Sequence, residues 1–133
     1  MPLKQIAMTE AVYYILLSLQ APNHGYGIIQ NTMELTARRL ELGAGTLYGA
    51  INTLLDKGWI RLYSEDKQSR KKKQYIITEE GSLALQQEIE RLEELLENGK
   101  RMMQQRNVNA GEMIDQGIER RKGATDEKIQ VTF

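Results

Sequence analysis

The 133-residue chain has no cysteine, one histidine and two prolines, and its 18 Lys and Arg are matched by 18 Asp and Glu. Without cysteine there is neither a disulfide framework nor a thiolate metal site. The single histidine, His24, cannot supply the ligands of a zinc or haem site, and between Asn23 and Gly25 it reads as a turn residue at a helix start rather than a catalytic base. Two glycine pairs, Gly25/Gly27 and Gly43/Gly45, begin a dinucleotide fingerprint, but its third glycine would fall on Gln30 and Tyr48, and neither pair follows a strand. No phosphate-binding loop is present, and the acidic pairs Glu79-Glu80 and Glu93-Glu94 read as solvated helix surface. An enzyme, a cofactor and a metal are therefore not expected. The longest apolar run, Ala11 to Leu17, is far short of the roughly 20 residues that cross a bilayer. It leads to no small-residue cleavage site, so no membrane span or signal peptide is expected and the expected location is cytoplasmic.

Hydrophobic residues still make up 41% of the chain, enough for a packed core. The zero net charge hides an uneven distribution. Residues 1–78 carry ten Lys and Arg against six Asp and Glu, net +4, and residues 79–133 carry eight against twelve, net −4. The chain reads as a basic head on an acidic stalk.

Thr9-Glu10 reads as a helix start, and Val12, Ile15, Leu16 and Leu19 recur at helical spacing up to the breaker Ala21-Pro22-Asn23. A second short helix is expected from about Tyr26, carrying Ile28, Ile29 and Met33, and a third over Thr46 to Lys57, stopped by Gly58. Ile60–Ser64 and Gln74–Thr78 are β-branched and aromatic and read as a hairpin with a projecting Lys/Arg-rich tip. After the cap Thr78-Glu79-Glu80, the residues Leu85, Ile89, Leu92, Leu96, Gly99 and Met103 follow a 4-3-4-3-4 spacing, the seam of a dimerising helix. Residues 107–133 are expected to form an appendage, either a short helix over 112–121 or flexible chain, in which the alternating end Ile129 to Phe133 stands isolated. The domains are thus 1–78, 79–106 and 107–133.

On the third helix, stepping about 100° per residue puts Leu47, Ala50, Ile51, Leu54 and Leu55 on one face. Gly45, Thr46, Gly49, Asn52, Thr53 and Asp56 fall on the other, with Tyr48 on the flank. Small, hydrogen-bonding groups suit a helix entering a DNA major groove, and equally an ordinary solvent face. The hairpin tip favours the first reading. Arg70, Lys71, Lys72 and Lys73 are four consecutive cations whose mutual repulsion phosphates would relieve.

Asn23-His24-Gly25-Tyr26-Gly27-Ile28, Gly45-Thr46-Leu47-Tyr48, Leu54, Gly58-Trp59-Ile60, and Arg70 with Tyr75-Ile76-Ile77-Thr78-Glu79-Glu80-Gly81 together resemble the PadR family of winged-helix transcriptional regulators, over about residues 8 to 85. The resemblance implies a mainly α (α+β) fold, a winged helix-turn-helix head with a two-stranded β wing followed by a long C-terminal dimerisation helix, as in the family's shorter branch. It further implies a homodimer that binds double-stranded DNA at a palindromic operator, usually as a repressor, and is released by a small molecule or stress signal. By position, Gly45, Thr46, Tyr48 and Asn52 would enter or flank the major groove and Arg70 to Lys73 would meet backbone or minor groove. Tyr26, Leu47, Leu54 and Tyr75 match scaffold positions. Trp59 stands where the family commonly has leucine and reads as packing. The long helix has no aromatic between Glu79 and Arg106, so no ligand platform is legible there. The alternatives are an adaptor of the same fold that binds another protein, and a sensor of aromatic drugs or metabolites.

Overall fold

The structure, a computed structural model, describes residues 7–65 and 73–115, with side chains as far as Asn107. Four helices and three strands follow one another: α1 (Glu10–Ser18), β1 (Asn23–His24), α2 (Gly25–Leu35), α3 (Ala44–Lys57), β2 (Ile60–Ser64), β3 (Gln74–Ile77) and α4 (Glu79–Asp115). The chain divides into two units between Arg91 and Leu92.

The first unit is built on local signals. Thr9 caps α1, its Oγ1 accepting the Val12 N–H at 3.1 Å, and Glu10 sits in the positive first turn. The helix and its C-terminal cap bury Ile15, Leu16 and the cap residue Leu19 in one cluster with Ile28 of α2 and Leu47, Ile51 and Leu54 of α3. Leu42, from the segment before α3, and Ile60, Tyr75 and Leu85, from the strands and from α4, complete the core. α3 begins at Ala44, two residues before the expected start, because Gly43 takes the cap position without needing a side-chain hydrogen bond. It ends at Gly58, whose φ of 74° is left-handed and open to glycine at little cost; the Gly58 and Trp59 N–H groups return to Leu55 and Leu54.

The sheet departs from expectation. It has three strands in the order β1-β3-β2, all antiparallel, with Asn23 opposite Tyr75 and His24 opposite Gln74. The two-stranded wing is therefore β2 and β3 of a sheet whose far edge is the Asn23–His24 segment. Two residues cannot display an alternating pattern, so β1 exists only through its pairing. β2 and β3 pair from Ile60↔Ile77 to Ser64↔Gln74, with an irregularity between Leu62 and Ser64.

α3 and α4 are spliced by main chain. Thr78 donates its hydroxyl to the Gly58 carbonyl at 2.6 Å, accepts the Gly81 N–H at 3.1 Å, and donates its own N–H to the Trp59 carbonyl at 2.9 Å. That carbonyl lies so close to the Gly81 Cα that no Cβ fits. Trp59 itself packs against the core with Lys57 over its ring at 4.7 Å, as the packing reading expects.

Two expectations about α4 change. Leu85 is only 5% exposed and Ile89 packs on the same cluster, so the head takes in the first turns of the helix that the sequence assigns to dimerisation. Leu83, by contrast, is exposed. Nor is there a break at residue 107: the helix continues through Asn107-Val108-Asn109-Ala110-Gly111 to Asp115. Asn and Gly lower helix propensity by at most about 1 kcal/mol each, and the segment holds no proline to end it. Of the short helix expected over 112–121, residues 112–115 belong to α4; the rest, and the chain end Ile129–Phe133, lie outside the described residues.

Candidate nucleic-acid interface

α3 presents the two faces expected of it. Leu47, Ile51 and Leu54 are buried in the core, while Gly45, Thr46, Tyr48, Gly49, Asn52, Thr53 and Asp56 are all exposed. A Cβ built on Gly45 or Gly49 would meet nothing within 4 Å. The fold therefore does not require these glycines; they keep the outward face flat. Thr53 returns its hydroxyl to the Gly49 carbonyl at 3.2 Å, and the Asn52 amide pairs with no described residue. What α3 offers outward is backbone, one unengaged carboxamide, the hydroxyls of Thr46, Tyr48 and Thr53, and the Asp56 carboxylate.

The Asn-His-Gly-Tyr-Gly segment places α3 by way of α2. The Asn23 Oδ1 accepts the His24 N–H at 2.9 Å, and the His24 Nδ1 accepts the Gly27 N–H at 3.1 Å, so an unprotonated ring nitrogen caps α2. Gly27 leaves room for the Asn23 carboxamide, and Gly25 leaves room for the Tyr48 hydroxyl. Tyr48 also lies near Tyr75, whose phenol is pushed above its ordinary range chiefly by burial and then by Tyr48 and Glu65.

Leu47, Leu54 and Tyr75 occupy scaffold positions as expected, but Tyr26 does not. It is 66% exposed on the first turn of α2, and the Gln30 Nε2 donates to its hydroxyl at 3.0 Å. The signal was available: Tyr26 lies about 200° around the helix from the buried Ile28. Tyr26 and Gln30 join the outward groups of α3 as surface polar groups that the core does not use.

Between α2 and α3, Ala37 and Arg38 both take left-handed backbone, at φ 50° and 66°, with the Arg38 N–H closing on the Met33 carbonyl. Arg39 pairs through both terminal nitrogens with the Glu10 carboxylate and, mainly by that hydrogen bonding, holds it below the ordinary carboxyl value. Gln30, Met33, Glu34 and Arg38 line a cleft of ≈ 150 Å³. That is well below the roughly 300–1,000 Å³ of small-molecule sites, and it does not argue for an effector pocket.

On the wing, Lys73 lies 3.8 Å from Glu65, both half exposed, and the Arg61 guanidinium stands 6.0 Å from the Tyr63 ring centre. Arg70, Lys71 and Lys72 lie outside the described residues. On α4, Glu88 is buried. Its carboxylate accepts from Arg91 at 2.6 and 2.8 Å and from the Met8 N–H at 3.3 Å, and the Arg91 hydrogen bonds hold its pKa below the usual carboxyl value against the opposing effect of burial. In the second unit Leu92, Leu95, Leu96 and Met102 are exposed, Met103 is partly buried, and a Cβ on Gly99 would meet nothing within 4 Å. Of the expected seam, Leu85 and Ile89 are thus engaged within the head, and Leu92, Leu96 and Gly99 are open. Among the described residues no cluster of His, Asp or Glu could hold a metal ion, and no helix is long and apolar enough to cross a membrane.

Comparison with known proteins covers the same region. The model of the transcriptional regulator PadR-like family matches residues 14–87. Among solved structures, a transcriptional regulator from Clostridium thermocellum shares 26% identity over 69% of this chain and 90% of its own, with a TM-score of 0.58. A PadR-like transcription factor from Bacteroides fragilis shares 26% over 69% and 87%, TM-score 0.56. A putative transcriptional regulator from Thermoplasma acidophilum, at 23% identity over 71% and 90% with a TM-score of 0.57, shares the fold. No curated protein matches the chain.

Proposed function

Because the chain belongs to the PadR-like family of transcriptional regulators, and so is a DNA-binding regulator rather than an enzyme, we propose that it is a repressor that binds a palindromic operator as a homodimer and is released by a small-molecule or stress signal. The observation that carries this reading is the outward face of α3, where exposed glycines that the fold does not require stand beside Thr46, Asn52 and Thr53. Such a face lets backbone approach base edges closely and leaves a carboxamide to read adenine. In this reading Gly45, Thr46, Tyr48, Gly49, Asn52 and Thr53 contact the major groove, and Arg70, Lys71, Lys72 and Lys73 contact the phosphates beside it. α2 crosses the backbone, as the helix before a recognition helix does, which brings Tyr26 and Gln30 to the flanking strand.

Charge supports the division of labour. The +4 of residues 1–78 becomes +8 across two heads, while the acidic stalk keeps the total at zero. Non-specific affinity is then modest, and discrimination falls to α3. Selection from a random DNA pool tests the reading. Enrichment of a sequence with two symmetric half-sites roughly 34 Å apart, or a multiple of that, is the expected outcome. A pool without enrichment refutes sequence-specific binding, and a single unsymmetrical site refutes the palindrome. Deleting the gene should raise transcription from the promoter carrying that site; a fall would make the protein an activator.

A further inference from the structure

We propose that Arg38, held by the left-handed turn that ends α2, seats this turn on a DNA backbone phosphate, while its neighbour Arg39 serves the fold. The inference rests on the DNA-binding reading above and adds a contact that neither α3 nor the basic hairpin tip supplies.

α2 closes in a Schellman pattern. Beyond the cap residue Thr36, the Ala37 N–H donates to the Glu34 carbonyl at 3.3 Å and the Arg38 N–H to the Met33 carbonyl at 2.7 Å. Such closures favour glycine or asparagine where the backbone turns left-handed, and often an apolar residue after it that rests on the helix. Here the two positions are Ala37, at φ 50°, and Arg38, at φ 66°, and a residue with a Cβ holds that backbone against steric resistance. The backbone would be better served by other residues at both positions. Arg38 is exposed, and among the described residues its side chain has no hydrogen bond or ion pair.

The turn that carries it is fixed. Thr36 donates its hydroxyl to the Thr32 carbonyl at 2.8 Å, accepts the Leu40 N–H on the same oxygen at 3.1 Å, and takes the Arg39 N–H on its carbonyl at 3.0 Å. Arg39 is engaged by both oxygens of the Glu10 carboxylate, so its charge is already matched. Arg38 instead shares a cleft with Gln30, Met33 and Glu34. Tyr26, Gln30 and Glu34 stand four residues apart on one face of α2, the face that crosses the DNA backbone in the reading above. Arg38 continues that line past the end of the helix. Without it, the line would end on the carboxylate of Glu34 facing a polyanion.

Fluorescence titrations of the full chain against the operator enriched from the random pool, and against a duplex of random sequence, test the contact at about 50 to about 200 mM salt. Arg38→Asn suits left-handed backbone and removes the cation, so its thermal midpoint should be no lower than the parent's. Its salt slope should be flatter by about 0.9 on both duplexes, so that over this salt range its affinity deficit shrinks roughly three- to fourfold. Arg38→Lys should keep the parent slope, because a phosphate also accepts a point charge. Arg39→Ala should leave the slope unchanged. An Arg38→Asn slope equal to the parent's, the same flattening from Arg39→Ala, or a change confined to the operator would each overturn the inference. A lower midpoint with an unaltered slope would assign Arg38 to the α2 dipole and overturn it too. In each of these cases DNA binding by the parent leaves the DNA-binding reading standing; a parent that binds neither duplex overturns both.

Discussion

The Tyr48 hydroxyl rests against the Cα of Gly25, so the N-terminal turn of α2 sets where the flank of α3 presents its phenol. A methyl at position 25 overlaps chiefly the far end of the Tyr48 side chain, which is half exposed and can swing away, and presses more lightly on the buried Leu47 Cδ2. Gly25→Ala should therefore cost about 1 kcal/mol in urea unfolding, at the low end of the 1–3 kcal/mol typical of core overpacking. It should nevertheless weaken operator binding in a fluorescence titration. Unchanged affinity would remove Tyr48 from the interface.

Gly49→Ala separates fold from function in the opposite sense. The added methyl meets nothing in the protein, and alanine in a helix interior is better than glycine by about 0.8–1.0 kcal/mol, so the midpoint of thermal unfolding should rise. DNA affinity should fall, because the methyl occupies the space where a groove edge approaches. A variant that is more stable and binds equally well would show that α3 does not approach DNA closely.

Removing the Tyr26 hydroxyl deletes one polar contact from an exposed site. Tyr26→Phe should leave stability within about 0.5 kcal/mol, as surface changes do. Loss of one hydrogen bond worth about 0.5–1.5 kcal/mol corresponds to an affinity lower by roughly two- to tenfold. Filter binding against the selected operator measures it, and affinity equal to that of the parent would return Tyr26 to an ordinary surface role.

Acid should loosen the head through Glu88. Its folded pKa lies below the ordinary carboxyl value of 4.5, so between the two values the unfolded chain binds more protons and stability rises with pH. The contribution is present above the ordinary carboxyl range and is lost as pH falls through the lowered folded value. Glu88→Gln should flatten that acid limb of a stability–pH curve. The residual slope would include Glu10, which Arg39 also lowers. An identical limb in the variant would mean that Glu88 does not couple folding to acid.

What could be read from the chain depended on how local the cause was. The Thr9 cap, the stop at Gly58 and the two faces of α3 each lie within a few residues of their signal, and all are legible. β1 was not, because its two residues are defined only by partners 50 residues away in β3. Tyr26 was misassigned to the scaffold because its place in a family motif outweighed its angle from Ile28. The exposed face of α3 follows from periodicity alone, whereas nothing periodic separates Leu85, taken into the head core, from Leu92 on the same stripe.

The splice between α3 and α4 sets how little sequence is needed to hold it. Its acceptors are the carbonyls of Gly58 and Trp59, which every residue type possesses, so most substitutions nearby leave the joint untouched. Within the joint, mutational vulnerability is concentrated at three sites: Gly58, whose left-handed backbone strains any side chain, Thr78, whose hydroxyl both donates and accepts, and Gly81, where any side chain would push against main chain that cannot yield. A survey of viable single substitutions across residues 57–82 would show intolerance at Gly58, Thr78 and Gly81 of the joint and at the core positions Ile60 and Tyr75, with the exposed strand positions Arg61 and Tyr63 tolerant.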